Sequence, residues 1–472
     1  MSLTAVLFLL LLCFGYRLVF NNKYRAEFIL ISSLIFLFWI QPKSAIRGFD
    51  FWIPYATLFL GILAWVIISP REMLIEKTNI KTILAILIFI TLLGLTQYLP
   101  WIDLGNYFSS PPLAEILVVG VVSVFLFLIF AKISQKPGFW TAAIILISTF
   151  IILKSQQAAF YASKILRQLS RQSTNLANST EIVWIGYSYF AFRILHTLID
   201  WRKGRLKEIR LMDYINYVTF FPSFLSGPIS RLEYFAQTYF PGGESVRINN
   251  DLFEGVQRLL LGIFQKFIVG DFLATFAINQ NLAHQITSPV WMWMSVIAYS
   301  VRLYFDFSGY THIAIGLARI LGIQLPENFD KPFRAPTLTL FWNKWHITLT
   351  QWFRSYYFNP VSRKMKRALK NIDPRIILLV MQLTTMILIG LWHGISINFV
   401  VWGVWTGGGL FIQNQISSYF KKHTKDGRYL WQESGLVKIV SISFTFLFVS
   451  LGWVWFALPT IDDSMQVLKV LF

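Results

Sequence analysis

Two histidines in apolar, tryptophan-rich stretches are the residues of this sequence best suited to chemistry. His346 ends the stretch Phe-Trp-Asn-Lys-Trp-His at 341–346, and His393 stands in Leu-Trp-His-Gly at 391–394. An imidazole in lipid-embedded sequence loses its hydration, so it is by default a candidate for function. Histidine is also well suited to take a proton from a hydroxyl group near neutral pH. We therefore predict a reaction centre in which both histidines take part and a hydroxyl group is activated.

Aromatic and polar residues surround the first of these histidines. Four of them would share one face of a continuous helix: Trp342, Trp345, Leu349 and Trp352. We interpret Trp342 and Trp345 as the wall of a substrate tunnel, although such a face is also typical of simple packing. Asn343 lies one turn before His346, and Thr350 lies one turn after it. Either polar side chain is placed to hold one imidazole nitrogen, which would decide which nitrogen is free.

The surroundings of His393 contain further candidates. Trp392 precedes it and Asn398 follows it, and we include both among the tunnel residues. Glycines at positions 390, 394, 403, 407, 408 and 409 allow close approach of backbone or substrate. Small residues at such spacings also pack membrane helices against one another. The sequence leaves both interpretations of these glycines open.

Charged residues inside apolar stretches need partners, because an unpaired charge in a membrane is costly. Asp306 and Ser308 lie in the polar cluster 304–312, and both are candidates for the substrate site. Arg302, four residues before Asp306, is predicted to be its structural partner. Arg193 is predicted to pair with a buried acid, and Asp200 is the acid that follows it on the same stretch.

The composition predicts the elements that must position these residues. Of the 472 residues, 55% are apolar and only 14% are charged, whereas soluble domains carry about 25% charged residues. Apolar runs of roughly 20 residues recur, which is the length that crosses a bilayer. We predict an all-α polytopic membrane protein with about 11 to 12 transmembrane helices. The net charge of +19 is then explained by basic loops at the membrane surface and not by nucleic acid.

Two apolar stretches are interrupted and do not fit a simple span. They are 211–228, which contains Pro222, and 337–358, which contains His346. Irregular backbone at membrane depth survives only where protein buries it or water lines it, so we expect two re-entrant segments around a central funnel or tunnel. We predict one membrane domain over 1–472, with N-terminal helices at 1–180, a catalytic core at 181–416 and a C-terminal loop and helix at 417–472. The placement of 154–180 stays open between an interfacial helix and a misassigned span.

Loop charges predict how the chain is oriented in the membrane. The basic loops 202–210, 363–375 and 421–428 are expected on the cytoplasmic side. The loops 100–112, 281–289 and 393–398 carry no lysine or arginine and are expected outside. His346 would then be approached from the cytoplasm and His393 from outside, which suits a donor and an acceptor on opposite sides.

Other kinds of chemistry find little support in the sequence. A single cysteine, Cys13, excludes a multi-cysteine metal site, and the histidines are too scattered to propose any metal. We expect His196, His284 and His423 to be ordinary polar residues at helix ends or in loops. Motifs for a phosphate-binding loop, a serine nucleophile or a zinc protease are absent. The simplest remaining chemistry is direct attack of a substrate hydroxyl on an activated acyl group.

Five motifs in order resemble the membrane-bound O-acyltransferase family, in its bacterial branch of alginate, cellulose and peptidoglycan O-acetylating proteins and teichoic-acid D-alanyl transferases. The motifs are Ser188-Tyr-Phe-Ala-Phe-Arg193 with Leu198-Ile-Asp200, Phe220-Phe-Pro-Ser-Phe-Leu-Ser-Gly-Pro-Ile-Ser-Arg231, Tyr304-Phe-Asp-Phe-Ser-Gly-Tyr310, Phe341-Trp-Asn-Lys-Trp-His346 and Leu391-Trp-His-Gly394. The resemblance covers 181–409. It implies His393 as the catalytic base and His346 as an essential residue lining the pore.

From this resemblance we expect a bacterial plasma-membrane transferase of a short acyl group, with acetyl favoured. The donor would be a cytoplasmic thioester, either acetyl coenzyme A or an acyl carrier protein, with no bound cofactor. The acceptor would be a hydroxyl of an extracytoplasmic glycan or of a secreted partner protein. D-alanyl transfer to teichoic acid is the close alternative. A transporter without chemistry is the rival from another class, since buried charges and broken helices also fit transporters.

Overall fold

The computed structural model describes residues 2–20, 24–99, 109–132, 135–239, 248–423 and 434–472. All regular secondary structure within these ranges is helical, which confirms the predicted all-α class. Six helices in the described ranges are long and apolar enough to cross a membrane: Phe49–Ile68, Lys77–Tyr98, Leu113–Lys132, Pro137–Lys154, Pro374–His393 and Gly435–Ala457. The chain is therefore a multi-pass membrane protein. The total of 11 to 12 spans stays a prediction.

The chain divides into two compact units. The N-terminal unit comprises Leu10–Ile248 and Ile320–Gln324, and the C-terminal unit comprises Met1–Leu9, Asn249–Arg319 and Leu325–Phe472. The two units are defined by contacts between residues, whereas the predicted boundaries at 180 and 416 rest on sequence motifs. Helix Leu3–Phe20 begins in one unit and ends in the other.

The N-terminal unit is built around apolar helices that pack on an interrupted segment. Its helices after the first are Arg25–Ile40, Phe49–Ile68, Arg71–Leu74, Lys77–Leu95, Leu113–Lys132, Gln135–Lys154, Gln156–Leu169, Tyr187–Arg202, Leu211–Val218 and Leu232–Tyr239. Helix Leu211–Val218 stops after eight residues, and a short 3-10 turn at Phe221–Ser223 follows it. Almost every side chain from 211 to 224 is buried, so the first interrupted stretch lies in the protein interior, as expected.

Arg193 binds backbone carbonyl groups that have no helical partner at this break. Its guanidinium donates to the carbonyl oxygens of Tyr217, Val218 and Ser223 at 3.1, 3.2 and 2.8 Å, and to the Ser223 hydroxyl at 2.6 Å. The described structure thus gives Arg193 backbone oxygens as partners, because a helix that ends inside the protein leaves carbonyl groups without partners. A pairing of Arg193 with a buried acid stays a prediction. Asp200 lies in the last turn of the helix that carries Arg193.

His196 is a second correction in this unit. It lies inside helix Tyr187–Arg202 and is 1% exposed, and it is not at a helix end. Its Nδ1 is 3.0 Å from the Phe192 carbonyl oxygen, and its Nε2 is 2.8 Å from the Tyr217 hydroxyl. Both ring nitrogens are therefore held by protein groups.

The segment 154–180 contains the amphipathic helix Gln156–Leu169, which favours the interfacial interpretation. The Ser155 hydroxyl caps its N-terminus by accepting from the Ala158 N–H. Arg167, a basic residue near the end of this helix, forms an ion pair with Glu181. This pairing lowers the pKa of the Glu181 carboxyl below its ordinary value.

The C-terminal unit carries both predicted histidines of the reaction centre. Its helices are Ile248–Ile263, Asp271–Ala274, Gln280–Gln285, Pro289–Ile320, Leu338–Lys344, Ile347–Phe353, Asn359–Ala368, Pro374–His393, Ile397–His423, Gly435–Ala457 and Ile461–Leu471. Helices Pro374–His393 and Ile397–His423 form a tight antiparallel pair. A Cβ atom added at Gly403 would lie 2.6 Å from Cα of Ile387, so this glycine serves helix packing, one of the two interpretations that the sequence left open.

The polar cluster around Asp306 holds two helices of this unit together. A π-helical turn, Phe264–Gly270, directly follows helix Ile248–Ile263. Lys266 in this turn forms a 2.6 Å ion pair with Asp306, and the Ser308 hydroxyl donates to Gln265 at 2.9 Å. The ion partner of Asp306 in the described structure is therefore Lys266 from the neighbouring segment, and not the predicted Arg302.

Several sequence predictions fall outside the described residues. These are the basic cluster at 421–428 and His423, whose side chains are not described, and most of the 100–112 loop. The predicted orientation of the chain in the membrane stays a prediction.

Candidate active site

The second interrupted stretch breaks at His346. Helix Leu338–Lys344 ends there, and helix Ile347–Phe353 begins directly after it. His346 has φ 43°, a left-handed backbone conformation that is uncommon outside glycine. Trp342 and Trp345 therefore do not share the face of one continuous helix, and that part of the prediction is wrong. The break points the imidazole back over the second half-helix.

One imidazole nitrogen of His346 is occupied by this geometry. Nδ1 accepts a hydrogen bond from the Leu349 backbone N–H at 3.3 Å, which caps the second half-helix. A nitrogen that accepts carries no proton, so the ring is neutral and its proton lies on Nε2. Neither Asn343 nor Thr350 fills the role that the sequence suggested for them. A backbone group does so because the break leaves the first N–H groups of the new helix without partners.

The other nitrogen of His346 is available for a ligand. The residue is 4% exposed, and its Nε2 is buried without a hydrogen-bond partner among the described residues. A buried polar group without a partner is rare in folded proteins and calls for an explanation. Here the group is a proton donor fixed in place by the cap on the opposite side of the ring.

One tryptophan ring contacts the imidazoles of both histidines. The ring centroid of Trp392 is 6.1 Å from that of His346 and 4.5 Å from that of His393. The imidazoles are therefore separated by no more than the sum of these two distances. Phe307 covers another side of His346, with its centroid 4.7 Å away.

His393 ends helix Pro374–His393 inside a cage of aromatic rings. The ring centroids of Phe456, Phe399 and Trp402 lie 4.7, 6.1 and 6.3 Å from that of His393. The imidazole is partly exposed, so a substrate can reach it. Asn398, a predicted tunnel residue, is instead buried and donates to three acceptors of the protein.

A cavity of about 150 Å³ within the C-terminal unit is lined by the segment that contains His346 and by the helix that ends at His393, although neither histidine is itself a lining residue. It is lined by Thr339, Trp342, Asn343, Thr350, Phe353, Arg354, Phe358, Gln382, Thr385, Met386, Ile389, Leu410 and Asn414. A void of this size holds a small organic group. Trp345 is absent from the lining because it is buried among other rings, stacked on Phe341 with centroids 5.5 Å apart.

Three residues of the lining have polar groups that the described part of the protein does not fully pair. Arg354 is exposed, donates to Asn343 Oδ1 at 2.6 Å and pairs with no carboxylate of the described residues. Gln382 Oε1 and Trp342 Nε1 are buried without hydrogen-bond partners in the described part of the chain. The cavity therefore offers a cation, an acceptor and a donor to a ligand.

The wall of the cavity leads toward His393. Gln382, Met386 and Ile389 lie on helix Pro374–His393 at spacings of four and three residues, and His393 follows four residues after Ile389. Residues at these spacings share one face of a helix. Gln382 could have been found from the sequence, since it is the polar residue that shares a helical face with the histidine. Arg354 could have been found as a charge inside an interrupted apolar stretch.

Among the described residues, no group of three or more histidine, cysteine or acidic side chains is placed to hold a metal ion. The site thus offers acid–base and hydrogen-bonding groups.

Known proteins are similar to this chain over more than half of its length. The family model of membrane-bound O-acyltransferases matches residues 125–452, a range that contains both histidines. The probable alginate O-acetylase AlgI of Pseudomonas fluorescens is 33% identical over 61% of this chain and 54% of its own length. The teichoic acid D-alanyltransferase of Bacillus subtilis is 30% identical over 63% of this chain and 74% of its own. The peptidoglycan O-acetyltransferase of Helicobacter pylori is 30% identical over 55% and 46%.

The matched part spans about half the length of the alginate relatives. The family match, in contrast, covers more than half of this chain. The chain belongs to the membrane-bound O-acyltransferase family.

Proposed function

We propose that this protein is a membrane O-acyltransferase that moves a short acyl group, acetyl first of all, from a thioester donor to a hydroxyl group. The observation that carries this proposal is the buried Nε2–H of His346, which is fixed by its cap and unpartnered in the described structure, next to the partly exposed His393. One imidazole can donate to an acyl carbonyl while the other accepts a proton. The relatives named above act in the same class of reaction.

His393 acts as the general base in this mechanism. It takes the proton of the acceptor hydroxyl, and the oxygen attacks the thioester carbonyl carbon. The carbon–sulfur bond breaks, and the proton on His393 passes to the departing thiolate. Acid–base catalysis of this kind contributes roughly 10²- to 10⁴-fold to a rate.

His346 stabilises the negative charge that develops on the carbonyl oxygen. Its Nε2–H donates to that oxygen, and the Leu349 cap on Nδ1 keeps the donor in place before the reaction. Donors placed in advance in a site without water are worth a large part of the catalytic effect. The surrounding rings of Phe307 and Trp392 keep competing water away from the thioester.

The cavity receives the arm of the thioester donor. Coenzyme A and acyl carrier proteins present the thioester on a chain that carries amide groups and a phosphate. Arg354 is the cation for the phosphate, and Gln382 and Trp342 are the acceptor and donor for an amide. The helical face from Gln382 to His393 then leads the thioester to the base.

We propose a bacterial plasma membrane as the location, with the donor in the cytoplasm and the acceptor outside. The acceptor is a hydroxyl of an extracytoplasmic polysaccharide or of a secreted partner protein. Basic residues at 363–375 would attract the phosphates of coenzyme A or the acidic surface of a carrier protein.

D-alanyl transfer to teichoic acid is a second candidate. The observation in its favour is the match to the teichoic acid D-alanyltransferase of Bacillus subtilis, which covers 74% of that protein, against 54% for the alginate relative. Both candidates use the same histidines and differ in the acyl group, its carrier and the acceptor.

The test is acyl transfer by the purified full chain in vesicles. Radiolabelled acetyl coenzyme A and a D-alanyl carrier protein are offered in parallel, with cell-envelope polysaccharide as acceptor. We expect label in the polysaccharide with one donor, and a loss of roughly 10³-fold in His393→Ala. The matched control is His312→Gln, which replaces a partly buried histidine that is hydrogen-bonded to Arg258 and lies on another helix. Full transfer by His393→Ala, or no transfer with either donor, would refute the proposal.

A further inference from the structure

Asn398 links two segments of the C-terminal unit that are far apart in sequence. It is 1% exposed at the start of helix Ile397–His423. Its Nδ2 lies 2.8 Å from the Leu458 carbonyl oxygen, 2.9 Å from that of Thr460 and 3.2 Å from the Ser464 hydroxyl. These acceptors follow the end of helix Gly435–Ala457. An amide nitrogen has two protons for these three acceptors, so no donor remains for a substrate.

The two linked segments supply the rings around His393. Phe399 follows Asn398 directly and stacks on His393 at 25° between ring planes. Phe456 comes from the other segment, two residues before Leu458, and meets the imidazole edge at 74° with centroids 4.7 Å apart. Phe399 and Phe456 also contact each other at 5.3 Å. The cage around the imidazole is thus closed by rings from both sides of the Asn398 link.

We propose that Asn398 is a positioning residue for His393. Its amide fixes the 458–460 connection against the start of helix Ile397–His423, and this holds Phe456 and Phe399 in register on the imidazole. The inference rests on the proposed function, since it concerns the orientation of the proposed base. Asn398 also stays a predicted tunnel residue, since its Oδ1 is buried without a hydrogen-bond partner among the described residues.

The substitution Asn398→Asp isolates this role. Aspartate has the shape of asparagine but, as a carboxylate, cannot donate, and its oxygen would face the carbonyl oxygens of Leu458 and Thr460. The link opens and Phe456 is released from the imidazole. Asn79→Asp is a matched control, because Asn79 is also 1% exposed and its Nδ2 donates to the Met73 carbonyl oxygen at 2.8 Å.

The first readout does not depend on acyl transfer. Purified full-length protein is treated with diethyl pyrocarbonate, and the modification rate of His393 is followed by mass spectrometry. We expect Asn398→Asp to change this rate by about fivefold, the factor that corresponds to one net hydrogen bond, and Asn79→Asp to leave it unchanged. Phe456→Leu should reproduce the change, and the double variant should add nothing to it. Equal His393 rates in Asn398→Asp and wild type would overturn the proposal.

The second readout is catalytic. With acetyl coenzyme A as donor, Asn398→Asp should lower kcat by roughly 10²-fold, the cost of a small misplacement of a reacting group, and leave KM for the donor unchanged. A raised KM with unchanged kcat would make Asn398 a binding residue and overturn the proposal. Absence of transfer in the wild type would instead refute the proposed function, while the modification rates would still decide the role of Asn398. Asn398→Ser, which retains one donor, replaces the aspartate variant if that protein does not purify as a monodisperse species.

Discussion

Each of the two units contains a buried histidine and an arginine beside a broken helix, yet the two pairs are used differently. In the N-terminal unit, His196 has protein groups at both ring nitrogens, and Arg193 donates to four oxygens of the chain. In the C-terminal unit, His346 has a protein partner at one nitrogen only, and Arg354 donates to a single amide oxygen. The residue types are the same, but their hydrogen-bond partners differ, and Arg193 is buried whereas Arg354 is exposed.

This difference separates residues that hold the fold from residues that await a ligand. A buried polar group that the protein satisfies contributes to folding, whereas one left unsatisfied costs free energy unless something else binds it. Burial alone cannot make the distinction, since His196 and His346 are 1% and 4% exposed. The number of hydrogen bonds already made within the chain is the better guide to function.

Replacing each buried histidine by asparagine is the sharpest test of this comparison. His346→Asn retains a side-chain oxygen for the helix cap and tolerates the left-handed backbone, but it places no donor at the position of Nε2. We expect kcat for acyl transfer to fall by roughly 10²- to 10³-fold, as for loss of an oxyanion-hole donor, with little change in thermal stability. The measurement is initial rate against donor concentration, with melting followed in the same detergent.

His196→Asn is the matched variant in the N-terminal unit. It removes the contact between Nε2 and the Tyr217 hydroxyl, so we expect a loss of about 1–3 kcal/mol in stability and an unchanged kcat per folded molecule. A large fall in kcat for His196→Asn, or none for His346→Asn, would break the distinction.

Arg193→Met tests the structural half of the comparison. Methionine fills much of the volume but leaves the carbonyl oxygens of Tyr217, Val218 and Ser223 without donors. We expect a loss of at least about 3 kcal/mol in the free energy of unfolding, because each unsatisfied buried group costs roughly 1–3 kcal/mol. The control is Arg202→Met on the same helix, where the arginine is exposed, and thermal melting compares the two. A stability equal to that of wild type would show that the released carbonyl groups do not need Arg193.

The helical class and the broken segments could be predicted because both depend on local sequence. Runs of apolar residues indicate spans, and Pro222 and the polar residues near His346 indicate interruptions. The partner of Asp306 could not be predicted in the same way. Spacing on one helix pointed to Arg302, but the crossing of two helices brings Lys266, 40 residues earlier in the chain, within 2.6 Å. Contacts of that kind depend on packing geometry, which a spacing rule does not contain.

In the candidate site, too, the features that depend on local sequence could be predicted and the contacts that depend on packing could not. The two histidines were identified from their surroundings in the sequence, and the structure brings them together across Trp392. The group that holds His346 Nδ1 was missed, since it is a backbone N–H that exists only once the helix has broken. Asn398 was expected in the tunnel because it is close to His393 in sequence, whereas its acceptors, from Leu458 to Ser464, lie about 60 residues further along.

Arg354→Gln tests the other half of the comparison between the two arginines, which is that Arg354 binds the donor and does not hold the fold. Glutamine still hydrogen-bonds but carries no charge, so we expect KM for acetyl coenzyme A to rise about tenfold through loss of a charge-assisted contact. The free energy of unfolding and kcat should stay close to wild type, and added salt should raise the wild-type KM more than the variant's. Arg71→Gln is the control, because Arg71 is exposed, belongs to the N-terminal unit and lies outside both the cavity lining and the basic stretch 363–375. An unchanged KM in Arg354→Gln would remove Arg354 from the donor site.

Glu181 extends the comparison to an acidic residue whose carboxyl group already has partners within the protein. The hydrogen bonds from Arg167 and Ser163 lower the pKa of its carboxyl below the ordinary value of 4.5. A carboxyl with a lowered pKa stabilises the fold above its unfolded value, and this stabilisation is lost as the pH falls through its folded value. We expect wild type to melt above Glu181→Gln at pH 7 and this gap to close as the pH falls below about 4.5, with kcat at neutral pH unchanged. Glu72→Gln, at an exposed site, should show no such pH-dependent gap. A gap for Glu181→Gln that persists at low pH would mean that packing, and not the ion pair, holds helix Gln156–Leu169 in place.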